Sequence, residues 1–463
     1  METEKNLENL VKKYDSPAHM YTEYPHKSFW SEEFKESDYK ESLNLLSSDK
    51  KNDPMMMYVH IPYCTKPCFF CTCHFKVTND HGDNGKIKNY LSTLSQEIDL
   101  LGNFFDKNSI NPKFLEMHLG GGSPTILNEG EFDYLIEKIN NLVKINDLEE
   151  FAIEIDPRAV NRERMLYYHE KGINRISFGI QDFDPKVQEA INRVQSPEMV
   201  GNLITSDIRS LFKHGINFDI IYGLPLQTKE TIRETFKKII ELSPDRIAFY
   251  PLGYNPEFAK HQEIMIDGRN GRPNRLPDSF EKRMLFFEGL KILTDNNYLR
   301  IGYDHFTKAD NELAKAAKNK ETHWRALGVN IKRDVDMIGI GPNGTSTIGD
   351  FYSQNYYLTE GYEEHLEKER FPTYRGHIMS KNDRIRREII FKLRNSFSLD
   401  FENIDKEHNI DSKEYFKNEI TRLEGFARDG ILNYSNNRIE VTDLGKEFIL
   451  NVCDNFDDYI HHK

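Results

Sequence analysis

Apolar and polar positions change period several times along this chain, and the changes divide it. From Met55 onward, short runs of β-branched, aromatic and other apolar residues recur between turn residues. Six of these runs read as buried parallel strands: Met56–Ile61, Phe114–Leu119, Phe151–Ile155, Arg175–Ile180, Phe218–Gly223 and Arg246–Pro251. Helical patterns such as Tyr90–Phe105 and Glu129–Val143 lie between them. Strand–helix units in series predict an α/β fold in which a parallel sheet curls into a partial, TIM-like (βα)6 barrel. In such barrels the chemistry sits at the C-terminal strand ends.

After Pro251 the alternation fades. A helix is expected from about Ser279 to Asn296, then a strand over Tyr298–Phe306 and another over Asp336–Gly341. From about Met379 the character changes again. Ile385–Asn395 and Glu414–Gly430 read as amphipathic helices, Ile431–Tyr434 and Arg438–Val441 as a hairpin around Ser435–Asn437, and Gly445–Ile460 as a last helix. Helix, helix, hairpin and helix make a mostly helical, winged-helix-like unit. The expected organisation is an N-terminal arm over 1–54, the barrel over 55–265, a barrel extension and substrate-side region over 266–378, and the helical domain over 379–463. The arm is dense in aromatic residues and proline from Ser16 to Phe34, so it is expected to pack across another surface.

Composition narrows the function. A chain of 463 residues exceeds one ordinary core. A formal charge of -13 at pH 7 argues against a nucleic-acid surface, which wants a basic face. No apolar run approaches the ~20 residues of a membrane span. The charged start METEKNLENLVKKYD has no apolar signal region, so a cytoplasmic protein is expected. Sparse cysteine fits a reducing compartment.

The stretch from Tyr58 to His74 carries the chemistry. It holds four of the five cysteines, as Cys64-x3-Cys68-x2-Cys71-x-Cys73. Thiolates are the usual protein ligands of iron–sulfur clusters. Cys64, Cys68 and Cys71 are expected to hold three corners of a [4Fe-4S] cluster and leave the fourth iron open. Cys73 lies too close to Cys71 to reach a fourth corner easily. A structural zinc knuckle is the alternative, although zinc ligands usually come as two separated pairs. The spacing, with Phe70 before the third cysteine, resembles the radical-SAM signature. That resemblance implies S-adenosylmethionine on the open iron, cleaved to a 5′-deoxyadenosyl radical, with Phe70 over the cluster and Phe69 keeping water away.

Further candidates lie at successive strand ends. Gly120, Gly121, Gly122 and Ser123 follow the second strand, where glycine lets backbone approach a ligand closely. Glu154 ends the third strand and is a candidate for a ribose. Gln181, Asp182, Arg193 and Asp219 would point into the same mouth. Arg269, Arg272 and Arg275 could clamp carboxylates by forked hydrogen bonds. Cys453, in an apolar helical pattern, reads as core.

Taken together, MYTEYP, YVHIPYC, CFFCTC, HLGGGSPT, IEIDPR, RISFGIQDF, INRVQ, DIIYGLPLQT, GYDHF, IGDFYSQN and DGIL…VTDLGK resemble the family of oxygen-independent coproporphyrinogen III dehydrogenase and its radical-SAM paralogues. The likeness covers nearly the whole chain. It implies two S-adenosylmethionine molecules. Tyr58, Phe70, Gly121, Gly122, Ser123 and Glu154 match the surroundings of the first; Gln181, Arg193, Asp219, Gly253 and Thr345 match those of the second. Cys73, matching a fourth cysteine of the dehydrogenase, and His60 are the expected catalytic residues. An electron donor such as flavodoxin or ferredoxin, a small-molecule substrate and a monomeric enzyme are expected.

The departures fall on the substrate side. Met20 stands where the dehydrogenase arm has arginine, and Glu23 where it has serine. Ala326–Ile331, reading ALGVNI, replaces a Phe-Gln-Gly-Tyr-Thr-Thr segment, and Thr345 replaces isoleucine. Two readings stay open as enzymes: oxidative decarboxylation of coproporphyrinogen III, a tetrapyrrole, or class C methyl transfer to an sp2 carbon such as one of a menaquinone ring; a non-catalytic haem-binding paralogue is the third alternative, weakened by Cys73.

Overall fold

The computed structural model describes residues 2–15, 19–268, 273–325, 327–331 and 335–461. Its centre is a sheet whose parallel strands run in sequence order: β1 (Pro54–Ile61), β2 (Lys113–Gly121), β3 (Glu150–Ile155), β4 (Arg175–Gln181), β5 (Ile216–Tyr222) and β6 (Arg246–Pro251). These are the expected six, neighbour to neighbour, each hydrogen-bonded in parallel to the next. The strands are buried on both faces, as parallel strands covered by helices must be.

The region after β6 corrects one expectation. Tyr298–Phe306 is not one strand. It folds back as β7 (Tyr298–Ile301) and β8 (His305–Lys308), an antiparallel pair that β8 joins to β6. Gly302, at φ +56°, begins the turn between them. On the other edge β9 (Asp336–Ile340) pairs in parallel with β1, and β10 (Thr345–Ile348), β11 (Phe351–Asn355) and β12 (Thr373–Ile378) continue antiparallel. The strand that leads into the cysteine loop is therefore central, not an edge.

The arm holds two helices, Glu2–Lys13 and Glu36–Asn44. The first sends Leu10 and Val11 into the core of the C-terminal unit, beside Tyr21 and Tyr24 from the following segment; the second sends Tyr39 and Leu43 into the barrel core. So the arm packs across other surfaces, as its composition suggests. The C-terminal unit runs through helix Lys381–Ser396, a three-stranded sheet over Ser398–Asp400, Leu432–Ser435 and Arg438–Val441, and helices around it. The helix expected over Glu414–Gly430 breaks at Phe416, which is buried, into Ser412–Tyr415 and Lys417–Arg428. Cys453 is buried in this core. Among the described residues no helix is long and apolar enough to cross a membrane.

A buried carboxylate ties β9 to the helix after the cysteine loop. Glu97, on helix Lys86–Lys107, accepts hydrogen bonds from Gly341 N (2.7 Å), Asn355 Nδ2 (2.7 Å) and Tyr362 Oη (2.5 Å). Burial pushes its carboxyl up to about 7, against the lowering effect of these donors. A carboxyl raised in the folded state contributes stability that is present below its unfolded value and lost as pH rises through the folded one. Wild type should therefore lose about 2–3 kcal/mol relative to Glu97→Gln between pH 5 and pH 8.5, since one pKa unit is about 1.4 kcal/mol. Anaerobic denaturant titrations at the two pH values measure it; parallel pH profiles would contradict the assignment.

Candidate active site

The cysteine loop leaves β1 at its C-terminal end and lies over the barrel mouth. Four contacts fix its backbone. Phe69 N donates to Ile191 O (3.0 Å) and Asn192 Nδ2 to Pro67 O (2.6 Å). His261 Nε2 lies 2.8 Å from Cys71 O. Gln262, wholly buried, donates from Nε2 to Phe70 O and Gly253 O, both at 2.8 Å, and accepts from Asn255 N at 2.6 Å. One side chain thus ties the loop to the segment after β6.

Cys64, Cys68, Cys71 and Cys73 are free thiols that line one cavity of about 220 Å³. Gly121, Gly122, Ser123, Glu154, Gln181, Arg193 and Asp219 share it. A wider cavity of about 470 Å³ adjoins it, and Phe70, Cys71, Cys73, Glu154, Asp219 and Tyr250 line both. Gly253 lines the wider one. The structure therefore gathers most of the expected residues around two connected spaces. Tyr58, His60 and Thr345 line neither.

The glycines are there because nothing larger fits. A Cβ on Gly122 would sit 2.7 Å from Tyr63 O. Gly121 has φ +110°, and a Cβ there would meet the His60 ring at 2.7 Å. On Gly120 it would meet the Glu154 carboxylate at 2.8 Å. Glu154 accepts from Gly121 N (3.2 Å) and from His118 Nε2 (3.1 Å). Burial raises its carboxyl, but the His118 contact, the Gly121 N–H and nearby His60 outweigh that and hold it below the ordinary value.

His60 has no free ring nitrogen. Nε2 lies 3.2 Å from the His74 carbonyl and must donate to it, so Nδ1 accepts from Tyr58 Oη at 3.0 Å. Burial lowers its pKa to about 4, so the ring is neutral. His60 positions Tyr58 and the cysteine loop; it does not face the cavity where a catalytic residue was expected. Asp182, expected among the mouth's polar groups, is wholly buried and taken up by Gln227 Nε2 (2.7 Å), Thr235 Oγ1 (2.9 Å) and Asp184 N (2.6 Å). Thr345 is buried in β10, packed behind Gly339, which pairs with Tyr58.

Arg193 donates to Gly179 O (2.6 Å) and Asp156 Oδ2 (3.2 Å), and Nη1 lies 3.5 Å from Cys68 Sγ. Its Nε has no partner among the described residues. Arg158 also contacts Cys68 Sγ, at 3.6 Å, and chelates Asp156. Burial raises Asp156, but Arg193 and Arg158 pull its carboxyl down to about 2. Asp219 goes the other way: burial and the Glu154 charge push it up to about 6, against hydrogen bonds from Ser177 Oγ (2.9 Å) and Asn217 Nδ2 (2.8 Å). Gln181, at φ +69°, leaves a buried Oε1 with no partner.

These features fit the implied cofactors. Burial, with the neighbouring thiols Cys68 and Cys73, pushes Cys64 up to about 12, so such thiols ionise when a metal takes their proton's place. The glycine cradle, the unpaired Gln181 oxygen and the unpaired Arg193 Nε supply acceptors and donors for a polar ligand beside them. Sequence reasoning missed Asp156, Arg158, His118, Tyr250 and Gln262. Asp156 and Arg158 lie within the quoted IEIDPR; Gln262 carries no local signal at all.

The expected role of Arg275 changes too. It lies on the surface and forms a forked pair with Glu281 Oε1 and Oε2 at 2.9 and 2.6 Å. Glu281 is itself the capping-box residue of helix Ser279–Asp295, so this arginine is spent on a helix start. Arg269 and Arg272 lie outside the described residues.

Replacing Gln262 by leucine should leave Phe70 O, Gly253 O and Asn255 N unpaired. At about 1 kcal/mol or more for each buried unpaired group, the cost is about 2–4 kcal/mol. Thermal unfolding and limited proteolysis of the cysteine loop test this; wild-type behaviour in both would refute the clamp.

Comparison with known proteins agrees with this architecture. The family profile described as the Radical SAM superfamily matches residues 58–239, and that of the HemN C-terminal domain matches 379–448. The chain is 33% identical over 458 residues to an oxygen-independent coproporphyrinogen III oxidase of Synechocystis sp., covering 98% of this chain and 95% of that one. It is 34% identical over 449 residues to the enzyme of the same name from Helicobacter pylori, covering 96% and 95%. The structure of coproporphyrinogen III oxidase from Escherichia coli, described as a radical SAM enzyme, superposes with a TM-score of 0.87 at 31% identity, over 97% of this chain and 98% of that one. This chain belongs to the radical-SAM family of oxygen-independent coproporphyrinogen III oxidases, whose cofactors are a [4Fe-4S] cluster and S-adenosylmethionine.

Proposed function

We propose that this protein decarboxylates coproporphyrinogen III oxidatively without oxygen, turning two propionate side chains into vinyl groups. Full-length similarity to enzymes of that name supports the reading. The observation that carries it is the joined pair of cavities: one lined by the thiols and the glycine cradle, the other wide enough to admit part of a larger substrate. Each conversion removes a hydrogen atom from the propionate carbon next to the ring. The bond to the carboxylate then breaks and carbon dioxide leaves; of the three electrons left on the two carbons, one passes to an external one-electron acceptor and the remaining pair forms the π bond.

Cys64, Cys68 and Cys71 hold three irons of the cluster. With S-adenosylmethionine bound, the cluster supplies the one-electron chemistry that takes a hydrogen atom from carbon. Gly121, Gly122 and Ser123 receive the polar end of the first S-adenosylmethionine, Glu154 its ribose, and Phe70 and Tyr58 close around it. Gln181, Arg193, Asp219 and Gly253 serve a second molecule in the adjoining space. Arg193 Nε, unpaired and buried, suits a carboxylate. His60 and Thr345 support these surfaces from behind. Cys73, on the wall common to both cavities, is the thiol placed to touch the reacting groups.

The chain's five free thiols suit the reducing cytoplasm. A flavodoxin or ferredoxin suits the need for single low-potential electrons. One observation favours the second reading, methyl transfer to a flat ring such as menaquinone: Met20, Leu327 and Val329 give the wide cavity an apolar side.

Anaerobic incubation of reconstituted protein with coproporphyrinogen III, and separately with a menaquinone, followed by mass spectrometry, decides between them. Loss of two carboxyl groups is expected; a gain of one methylene unit on the quinone would transfer the assignment. Cys64→Ala should abolish the cluster's colour. Arg193→Ala should weaken one of two S-adenosylmethionine sites by about 1.5–3 kcal/mol, the worth of a hydrogen bond to a charged group. Equilibrium dialysis showing a single bound molecule in wild type would overturn the two-site arrangement.

A further inference from the structure

A tetra-anionic substrate needs cations: Met20 stands where the family arm has arginine, and Arg275, the one expected clamp residue among the described residues, is committed to Glu281. The wide cavity supplies others. Arg394, on helix Lys381–Ser396, lines it with a side chain only 1% exposed. Its guanidinium lies over the Trp324 ring, 3.2 Å from the centroid. Nη2 reaches Asp304 Oδ2 at 3.3 Å, but that carboxylate also serves His305 Nδ1 at 2.8 Å. Nε and Nη1 of Arg394 have no partner among the described residues. Arg246 lines the same cavity, and its Nε is unpaired as well.

A buried guanidinium short of acceptors is costly to keep. The cost is removed when an anion completes the hydrogen bonds. Planar, forked donors match a carboxylate in shape as well as charge. Trp324 fixes the plane of the fork and leaves its edge for the ligand. The other acids lining the cavity are already engaged. Glu150 receives Arg175 Nε at 2.7 Å, and Glu154 is held by His118 and Gly121.

We infer that Arg394, stacked on Trp324 in the cavity that Arg246 also lines, is the carboxylate-recognition residue of this active site. It takes one propionate of the substrate in place of the missing arm arginine. The identity of that carboxylate as a tetrapyrrole side chain rests on the function proposed above; the anion site does not.

The test uses the reconstituted full-length protein and follows Trp324 emission during titration with propionate, with neutral propionamide as control. Trp30, stacked on Tyr352, contributes a constant background. Wild type should show a saturable change with propionate and none with propionamide. Arg394→Met, close in volume, should weaken the midpoint at least tenfold, and Arg394→Lys should fall between. Removing the guanidinium also leaves the buried Asp304 carboxylate without it, so Arg394→Met should melt lower than wild type; Arg394→Lys, which keeps a cation beside Asp304, should melt near wild type yet bind propionate more weakly, a split that a residue needed only for packing would not show. No saturable response in wild type, an equal response to propionamide, or an unchanged midpoint in both variants overturns the inference. If propionate binding depends on Arg394 but coproporphyrinogen III is not turned over, the anion site stands and the substrate assignment falls. If coproporphyrinogen III is turned over and Arg394→Met leaves both its KM and the propionate midpoint unchanged, the reverse holds.

Discussion

The close approach of the Gly120–Gly122 backbone to β1 and its exit loop governs the site. Tyr63 O accepts from Ser123 N, and Ile61 O from Gly122 N, both at 2.8 Å, so the two loops are stitched together at the barrel mouth. No side chain fits between them. That approach brings Gly121 N to Glu154 and places His60 beneath the glycine, where it holds Tyr58 and His74. The thiols on one loop and the ligand-facing backbone on the other therefore keep a fixed relation. Only after that relation is set do Gln262 and His261 close the cysteine loop from the far side.

The barrel pays for this mouth with a polar interior. The helix-facing surfaces of β1 to β6 are apolar in the usual way, but the lumen carries Glu150, Arg175, His118, Ser177, Asn217 and Asp219. Each is satisfied by another: Arg175 by Glu150, Asp219 by Ser177 and Asn217, Glu154 by His118. Buried charges survive when they are paired and hydrogen-bonded. The consequence is a set of carboxyls spread widely by environment, with Asp156 down to about 2 between two arginines and Asp219 up to about 6 among neutral donors. Such divergence marks sites built for ligands rather than for stability alone.

Much of this was legible in the sequence because it is local. Six buried strands announce themselves as apolar runs between turn residues, and cysteines four and three residues apart must share one loop. Glu154, next to the end of its strand, follows once the strands are placed; Asp219, expected at the end of the fifth strand, lies mid-strand and reaches the cavity from within the barrel. The failures are non-local. Tyr298–Phe306 reads as one strand until Gly302 adopts a left-handed conformation and folds it back. His60 and Asp182 have the right chemistry and position for a mouth, but their polar atoms are consumed by His74, Tyr58, Gln227 and Thr235 from distant segments. Gln262 sits in an unremarkable polar stretch, and only the folded chain reveals that it bridges two loops.

Arg394 shows the same limit from the opposite side. In the sequence it is one cation in an amphipathic helix rich in arginine and lysine, where exposure is the ordinary expectation. The fold turns it inward because helix Lys381–Ser396 packs against the strand Thr322–Arg325 and the turn at Gly302, bringing Trp324 under its guanidinium and Asp304 beside it. A charge that looks like surface thus becomes part of the cavity wall. Around the glycine cradle of this chain no such relocation is open, since backbone approach fixes its relation to the cysteine loop. The substrate half is built from side chains on separate segments, so a lost cation on the arm can be replaced by one arriving from another part of the chain.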